Sequence, residues 1–410
     1  MSAIFALCLP AVILACGFAL DVGMMQFRQG QIQNAADAAV IAAELQIERN
    51  NSNWATEAKQ EAAVNGFTDG SNNVTVTVVT SPFLTNAATL SPYVGRYDVL
   101  QVRITQQMSP IFMSVLNVPP VTIAANAVAQ IPTCMYFLNQ KNAVTYTVNE
   151  SSTGGNSYDY GQCPMYINGN LNVASGSWHQ AAETSITGAS GSSILAGRVK
   201  EGTVFGAATV SDPLASVTSP SFSSCNHTSY SASNTTVTLN PGTYCGTSST
   251  KGMTISNSTV TLNAGTYIIT GGAQWSQATV TGTGVTLFFT KGNGAQYGQF
   301  VITTLSTINL QAPTSGSLAG ILIFADRNWV NTAAQDFIFN SGTFNNTSGN
   351  GILYLPAAGL EMYNGTYHCL NYCPIIADNM YTYNETMDPW FDFSILTSGN
   401  PFRKTSVLAE

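Results

Sequence analysis

The chain has 410 residues and a net charge of −8; 45% of its residues are apolar and only 8% are charged. An average soluble domain is about 25% charged, so polarity here comes from Asn, Ser, Thr, Gln and Gly, and the apolar content excludes a disordered chain. The 13 Lys and Arg are spread along the chain, which excludes nucleic acid as a partner and leaves hydrophobic burial as the route to a membrane.

Residues 3–20 read AIFALCLPAVILACGFAL, with no charge before Asp21 and no basic residue before Arg28. Eighteen uncharged apolar residues are a transmembrane-helix candidate. A first span normally carries Lys or Arg on its cytoplasmic side. That flank is missing, so we expect a basic leader to have been removed and Met1 to begin the mature protein. Residues 24–49 continue in good helix formers, with Phe27, Ile32, Ala35, Ala39, Ala42 and Ala43 near helical spacing. A helix over residues 2–49 would be about 70 Å long. Pro10 should kink it, and its alanines permit close helix–helix approach.

The run from the apolar span through Asp21 to Gln33, Asn34, Ala35, Ala36, Asp37, Ala38 and Ala39 resembles the start of TadG-like proteins of the Tad (Flp) pilus system. The resemblance implies a filament or membrane-assembly role for this helix, with Phe5, Pro10, Gly17, Asp21, Asn34 and Asp37 as the residues to examine. Classical type IV pilins usually carry Glu at mature position five, where this chain has Phe5. For Asp21 the sequence allows either a polar stop at the membrane edge or a contact with a neighbouring subunit. Asp37 reads as a solvated helix position.

Residues 54–68 read as a second, amphipathic helix ending near Asn65 and Gly66. VTVTVV at 74–79, VLQVRIT at 99–105 and VTIAANAVAQI at 121–131 alternate like half-buried strands. A helix on a three-stranded sheet is a small pilin-like α/β head, which the family resemblance also implies.

Beyond residue 133 the chain repeats itself. NTTVTLNPGTY at 234–244 returns as NSTVTLNAGTY at 257–267, and echoes follow at Val285–Leu287 and Ile308–Leu310. A period near 23 predicts a parallel β-helix, with residues 165–395 supplying about ten coils and an axis of roughly 48 Å. A β-sandwich is the alternative. The chain is therefore expected to be α+β, with a helix or stalk over 1–50, a head over 51–132 and a β-helix over 133–410.

Of eight cysteines, Cys8 and Cys16 lie in the apolar run and read as small hydrophobes. Neighbour order favours Cys134–Cys163, Cys225–Cys245 and Cys369–Cys373 as disulfides formed in an oxidising compartment. A zinc site at His368, Cys369 and Cys373 is the rival reading, but one C-x3-C beside one His falls short of the four ligands zinc usually takes. Asn73, Asn149, Asn226, Asn234, Asn257 and Asn364 stand in sequons that allow glycosylation.

Catalytic chemistry has little to stand on. Asp326 and Arg327 are the most suggestive pair, but neighbouring strand residues point to opposite faces, which favours a structural corner. Asp378, Asp388 and Asp392 form a loose acidic set. His179, His227 and His368 stand far apart, and no nucleophile, phosphate-loop or dinucleotide motif is present. The sequence thus leads to a non-enzymatic structural subunit of a Tad-type pilus or related filament, with no cofactor and no metal. It would be held in the inner membrane before assembly, would pack with its own copies or other pilins, and would display the β-helix at the cell surface. Two alternatives remain: a membrane-anchored β-helix that binds or degrades surface polysaccharide, and a minor tip or priming pilin that stays in the membrane.

Overall fold

In the computed structural model, the described residues are 2–48, 53–80, 99–130, 408–409 and most of 133–402. Within 133–402 the exceptions are 134, 142–143, 154–156, 160–162, 175, 182, 189–191, 195–198, 200–201, 248, 293–296, 304, 330–335, 342, 346–350, 369–370 and 389–391. The chain forms two compact units, residues 1–131 with 405–410, and residues 132–404.

The first unit opens with α1 (Ser2–Glu48), an uninterrupted helix through Pro10. α2 (Trp54–Val64) follows, then β1 (Val74–Thr80), β2 (Val99–Met108) and β3 (Val121–Gln130) in an antiparallel meander. A short closing strand, Leu408–Ala409, pairs with Ala129 and Val128 of β3. Ile32, Ala35, Ala36, Ala39, Val40, Ala43 and Ile47 of α1 share one core with Val76, Leu100, Val102, Ile104 and Ala125. Most of these helix residues are small, which brings the α1 backbone close to the sheet. Strand starts and helix boundaries fall within a few residues of those expected from periodicity. Phe27 does not: it lies off the buried stripe and is 71% exposed.

The second unit is a solenoid in which every pairing between coils is parallel. This removes the β-sandwich alternative, whose sheets are antiparallel. Each regular coil has three faces, as in Gly242–Cys245, Met253–Ser256 and Thr259–Leu262. Side chains alternate in and out. Inside, Tyr244, Tyr267, Ile255, Trp275, Val260 and Val280 stack into the core. Outside, the third face carries threonines in register, with Thr236 beside Thr259, then Thr279, then Thr307. β-Branched residues suit such a pleated surface.

The corner between second and third faces is one residue with positive φ. Asn234, Asn257, Gln277, Leu305, Ser341, Asn364 and Asn384 take φ values of 47° to 54° in successive coils. Asparagine tolerates this left-handed conformation better than other side chains, and its amide reaches the next coil: Asn257 Nδ2 donates to Asn234 Oδ1 at 2.6 Å. Asn263 does the same to Asn240 at 2.8 Å, one face further on. Two sequon asparagines, Asn234 and Asn257, therefore serve this ladder. Asn226 Oδ1 accepts from Thr243 N at 2.7 Å, Asn149 Oδ1 accepts from Asn172 at 2.7 Å, and Asn73 occupies a left-handed turn before β1.

The coil order differs from the simple linear stack that the repeat suggests. Met135–Phe137 pairs on one side with Met165–Ile167, then Glu183–Ile186, then Gly202–Phe205. The chain resumes at His227–Thr228, at the opposite end, and winds back through Gly242–Cys245, Gly265–Thr270, Val285–Thr290, Ile321–Ala325 and Ile352–Tyr363 to Ile375–Tyr383. That last strand pairs with Met135–Phe137 and Val148–Ser151. The chain thus enters the solenoid mid-way. Register also corrects one echo: Val260 pairs with Val280, whereas Val285 opens the next coil beside Gly265.

Residues 206–226 must return along ten rungs, about 48 Å at strand spacing, and 21 extended residues reach about 70 Å. This strap is pinned along its path. Asn168 and Val210 exchange two hydrogen bonds at 2.7 and 2.9 Å. Arg327 donates to Leu214 O, Ser219 Oγ and the Tyr354 hydroxyl, which itself donates to Asp212 at 2.5 Å. Asp326 accepts from Thr290 Oγ1 and Asn328 N. Asp326 and Arg327 are thus committed to holding the coil and the strap.

Candidate functional site

Along residues 12–24 of α1, Gly17 and Asp21 are the buried positions whose side chains are described, one helical turn apart on one face. That face meets the segment Ile111–Leu116, whose last four residues form a 3-10 turn. The Asp21 carboxylate accepts from the backbone N–H groups of Ile111 (2.9 Å), Phe112 (2.9 Å) and Met113 (2.7 Å). It is a cap supplied from a distant helix, serving the donors that a helix start leaves without partners. Burial pulls its pKa upward, but the N–H groups of Met113, Ile111 and Phe112 outweigh that and hold the carboxyl below the usual range. Asp21 is therefore an internal tie.

Gly17 lets the turn approach. A Cβ at this position would lie 2.8 Å from Phe112 Cβ and Cγ. Gly17→Val should push Phe112 away and lengthen the Asp21 bonds; hydrogen exchange of the Ile111, Phe112 and Met113 amides reads this directly, and unchanged protection counts against the packing role.

Around this stretch, α1 presents Val12, Leu14, Phe18, Leu20, Met24 and Phe27 to solvent, and the turn presents Ile111, Phe112, Val115 and Leu116. Val115 is 75% exposed. This is an extended apolar surface on helix and turn together, far beyond the single exposed hydrophobics of an ordinary soluble surface.

Of the other expected assembly residues, Asn34 is exposed, and Asp37 Oδ1 accepts at 2.8 Å from Gln33 Nε2, which also donates to Asn126 O of β3 at 3.0 Å. With Ala35, Ala36 and Ala39 buried, the signature docks α1 on its own sheet. Phe5, Pro10 and Cys8 have side chains outside the described residues, as do the first eleven residues of the apolar run's neighbourhood, 1–11, and residue 13. Among the described residues no helix is long and apolar enough to cross a membrane; the expected transmembrane span is not supported there.

Residues 1–56 match the family model described as Tad, putative Flp pilus-assembly TadE/G-like. The N-terminal helix is thus similar to the TadE/G-like pilus-assembly family. No curated protein and no solved structure matches the chain. The TadE/G-like segment covers α1 and the start of α2, so it contains Gly17, Asp21 and the exposed apolar face but ends before the head sheet and the solenoid.

In the second unit, Cys225 and Cys245 are disulfide-bonded with Cα atoms 5.7 Å apart. Cys163 and Cys373 are also in disulfides; Cys134 and Cys369 lie outside the described residues. Cys16 is a free, exposed thiol. His179 is fully buried with Nδ1 2.8 Å from Glu150 Oε1 and Nε2 2.7 Å from Thr184 Oγ1. The sequence treated His179 as isolated; the inward parity of Glu150 in the Val148–Ser151 strand was the available signal.

Among the described residues the acids after residue 200 form no cluster able to hold a metal ion. Asp378 accepts from Lys141 N and Asn379 Nδ2, and Asp392 caps the turn at Phe393–Ile395. Trp275 and Trp329 are core residues. A cavity of about 560 Å³ lies where the last coil meets the first, lined by Thr145, Tyr146, Asn149, Glu361, Tyr363, Asn379 and Tyr381 among others. Burial pushes the Glu361 carboxyl up to about 7.

Glu385 is buried too, and burial raises it to about 8 against the opposing N–H of Gly365, 2.7 Å from Oε2. A carboxyl raised on folding favours the native state most below its unfolded value near 4.5, and that advantage is lost as pH rises toward 8. The solenoid should melt at lower temperature at pH 9 than at pH 5. Glu385→Gln should flatten that dependence; an equally steep profile in the variant would assign it elsewhere.

Proposed function

We propose that this protein is a structural, non-enzymatic subunit of a Tad-type pilus or related surface filament. The observation that carries the reading is the set of exposed apolar residues on α1, within the TadE/G-like residues 1–56, which those of the Ile111–Leu116 turn extend. Eighteen uncharged residues from 3 to 20 form about 27 Å of helix, close to the ~30 Å hydrocarbon thickness of a bilayer, which supports an inner-membrane anchor before assembly. The same face then packs on other copies or other pilins, where close packing replaces lipid. The solenoid, braced by disulfides, is displayed for surface contact.

The test is electron cryo-microscopy of filaments sheared from the native cells. Repeating density with α1 at the core and a solenoid outside supports a filament subunit. Filaments built from another chain, with this one left in the membrane fraction, move it to a minor tip or priming role. A saccharide-contacting role has its own support in the tyrosine-lined cavity of the second unit.

A further inference from the structure

The cavity at the solenoid seam sits where three rungs from distant parts of the chain lie side by side. Glu361 pairs in register with Tyr381, and Tyr381 with Asn149. Leu360 and Met362 are in the core on either side of Glu361, and Met380 and Thr382 point inward beside Tyr381, so Glu361 and Tyr381 face outward. Gly359 pairs with Asn379 two residues away. Tyr363 lies 5.5 Å from Tyr381, ring to ring, with the planes at 62°. The segment Val144–Tyr146 forms the facing wall. Every other rung contact in this half of the domain follows chain order; this one joins the end of the winding to its beginning, so the wall can change without breaking a coil.

The chemistry of the lining is selective. Tyr146, Tyr363 and Tyr381 offer flat apolar rings with hydroxyls at their edges, the combination that suits a partner apolar on one face and polar at its rim. Asn149 and Asn379 supply amides that both donate and accept, and Glu361 adds one carboxyl. Among the described residues no Lys or Arg lines the cavity, which disfavours phosphates and other anions. Its volume of about 560 Å³ lies within the ~300–1,000 Å³ of small-ligand sites. One lining carboxyl falls short of the pair that glycoside hydrolysis uses.

We propose that this seam cavity binds a neutral saccharide, its ring stacked on Tyr381 with Tyr363 at its edge, and its hydroxyls held by Asn149, Asn379 and Glu361. The site deepens the surface-contact reading above, giving the displayed solenoid a ligand class. Binding is measured on purified protein, so it succeeds or fails independently of whether the chain is found in filaments.

The experiment is an array of neutral oligosaccharides of glucose, galactose, mannose and N-acetylhexosamine, with uronic-acid and sulfated oligosaccharides beside them, probed with the full-length protein in detergent and followed by calorimetric titration of the tightest. Wild type should bind at least one. Tyr381→Ala and Glu361→Gln should each weaken that binding at least tenfold. Thr261→Ala, on the third face, should leave it unchanged. Melting temperature and an intact Cys225–Cys245 bond report folding of each variant, and Tyr381→Phe, which keeps the ring, guards against a fold defect by retaining most of the affinity. Absence of binding to every neutral oligosaccharide, or binding that survives both Tyr381→Ala and Glu361→Gln, overturns the assignment. Preference for anionic glycans overturns the neutral class, and new reducing ends in the bound oligosaccharide overturn a binding-only site.

Discussion

Replacing His179 by alanine should destabilise the solenoid by about 3–5 kcal/mol, the range for removing one partner of a buried polar pair. The imidazole bridges Glu150 and Thr184 at 2.8 and 2.7 Å in a site from which water is excluded. Alanine leaves a carboxyl and a hydroxyl that have lost this partner, together with a ring-sized void. His179→Gln, able to donate to one side and accept from the other, should recover part of the loss. Thermal unfolding followed by circular dichroism checks this. A shift of under a few degrees for His179→Ala would mean that the coil repacks and that the cluster adds little stability.

Asp21→Ala should release the Ile111–Leu116 turn from α1. Three backbone donors lose their acceptor at once, and no other described side chain stands in for it. Amide exchange at Ile111, Phe112 and Met113 should rise on the order of a hundredfold, in keeping with the loss of several charge-assisted hydrogen bonds. Under the proposed function, incorporation into surface filaments should fall with it, because the turn's apolar residues no longer extend the helix face. Asp21→Asn, with one carbonyl oxygen in place of two, should sit between. The second unit is a separate compact body, so its melting should not change. Undiminished protection at the three amides in Asp21→Ala would show that the turn stands by itself.

Asp21 marks the boundary of what the sequence discloses. Its place after an apolar run was visible, and so was its membership of a familiar signature. Its partners were not, because they are backbone N–H groups ninety residues away, and a backbone donor leaves no trace in residue type. By contrast, the Gln33–Ala39 signature could be read as helix, and the small buried residues Ala35, Ala36 and Ala39 follow helical spacing. The head strands were legible because each has one buried face and one open face, which fixes period two.

The solenoid was legible as a repeat but not as an order. Inward positions alternate alike in every coil, so nothing in VTLFFT or IIADNMYTY says which rung lies next to which. The register of Ile375–Tyr383 on Met135–Phe137 joins segments about 240 residues apart. The misplaced echo at Val285 has the same origin: a similar inward–outward pattern occurs on two different faces. The seam cavity follows from that hidden order, which is why Glu361, Tyr381 and Asn149 could not be grouped beforehand. Arg327 illustrates the reverse case. Its reading as a structural corner residue holds, but its grip on Asp212, Leu214 and Ser219 depends on a return strap that the repeat gives no hint of.

The mid-way entry of the chain into the solenoid also sets a timetable. During synthesis the coil beginning at Met135 can cover only one of its edges, since the strand for its other edge, Ile375–Tyr383, is made some 240 residues later. An uncovered parallel edge is a template for pairing with other chains, and contacts this distant in sequence form slowly. The head waits longer still, because Leu408–Ala409, made after the whole solenoid, closes its sheet. Any truncation before residue 375 should therefore yield an aggregating product rather than a shorter solenoid, and the newly made chain is exposed to misassembly until residues 375–383 and 408–409 arrive.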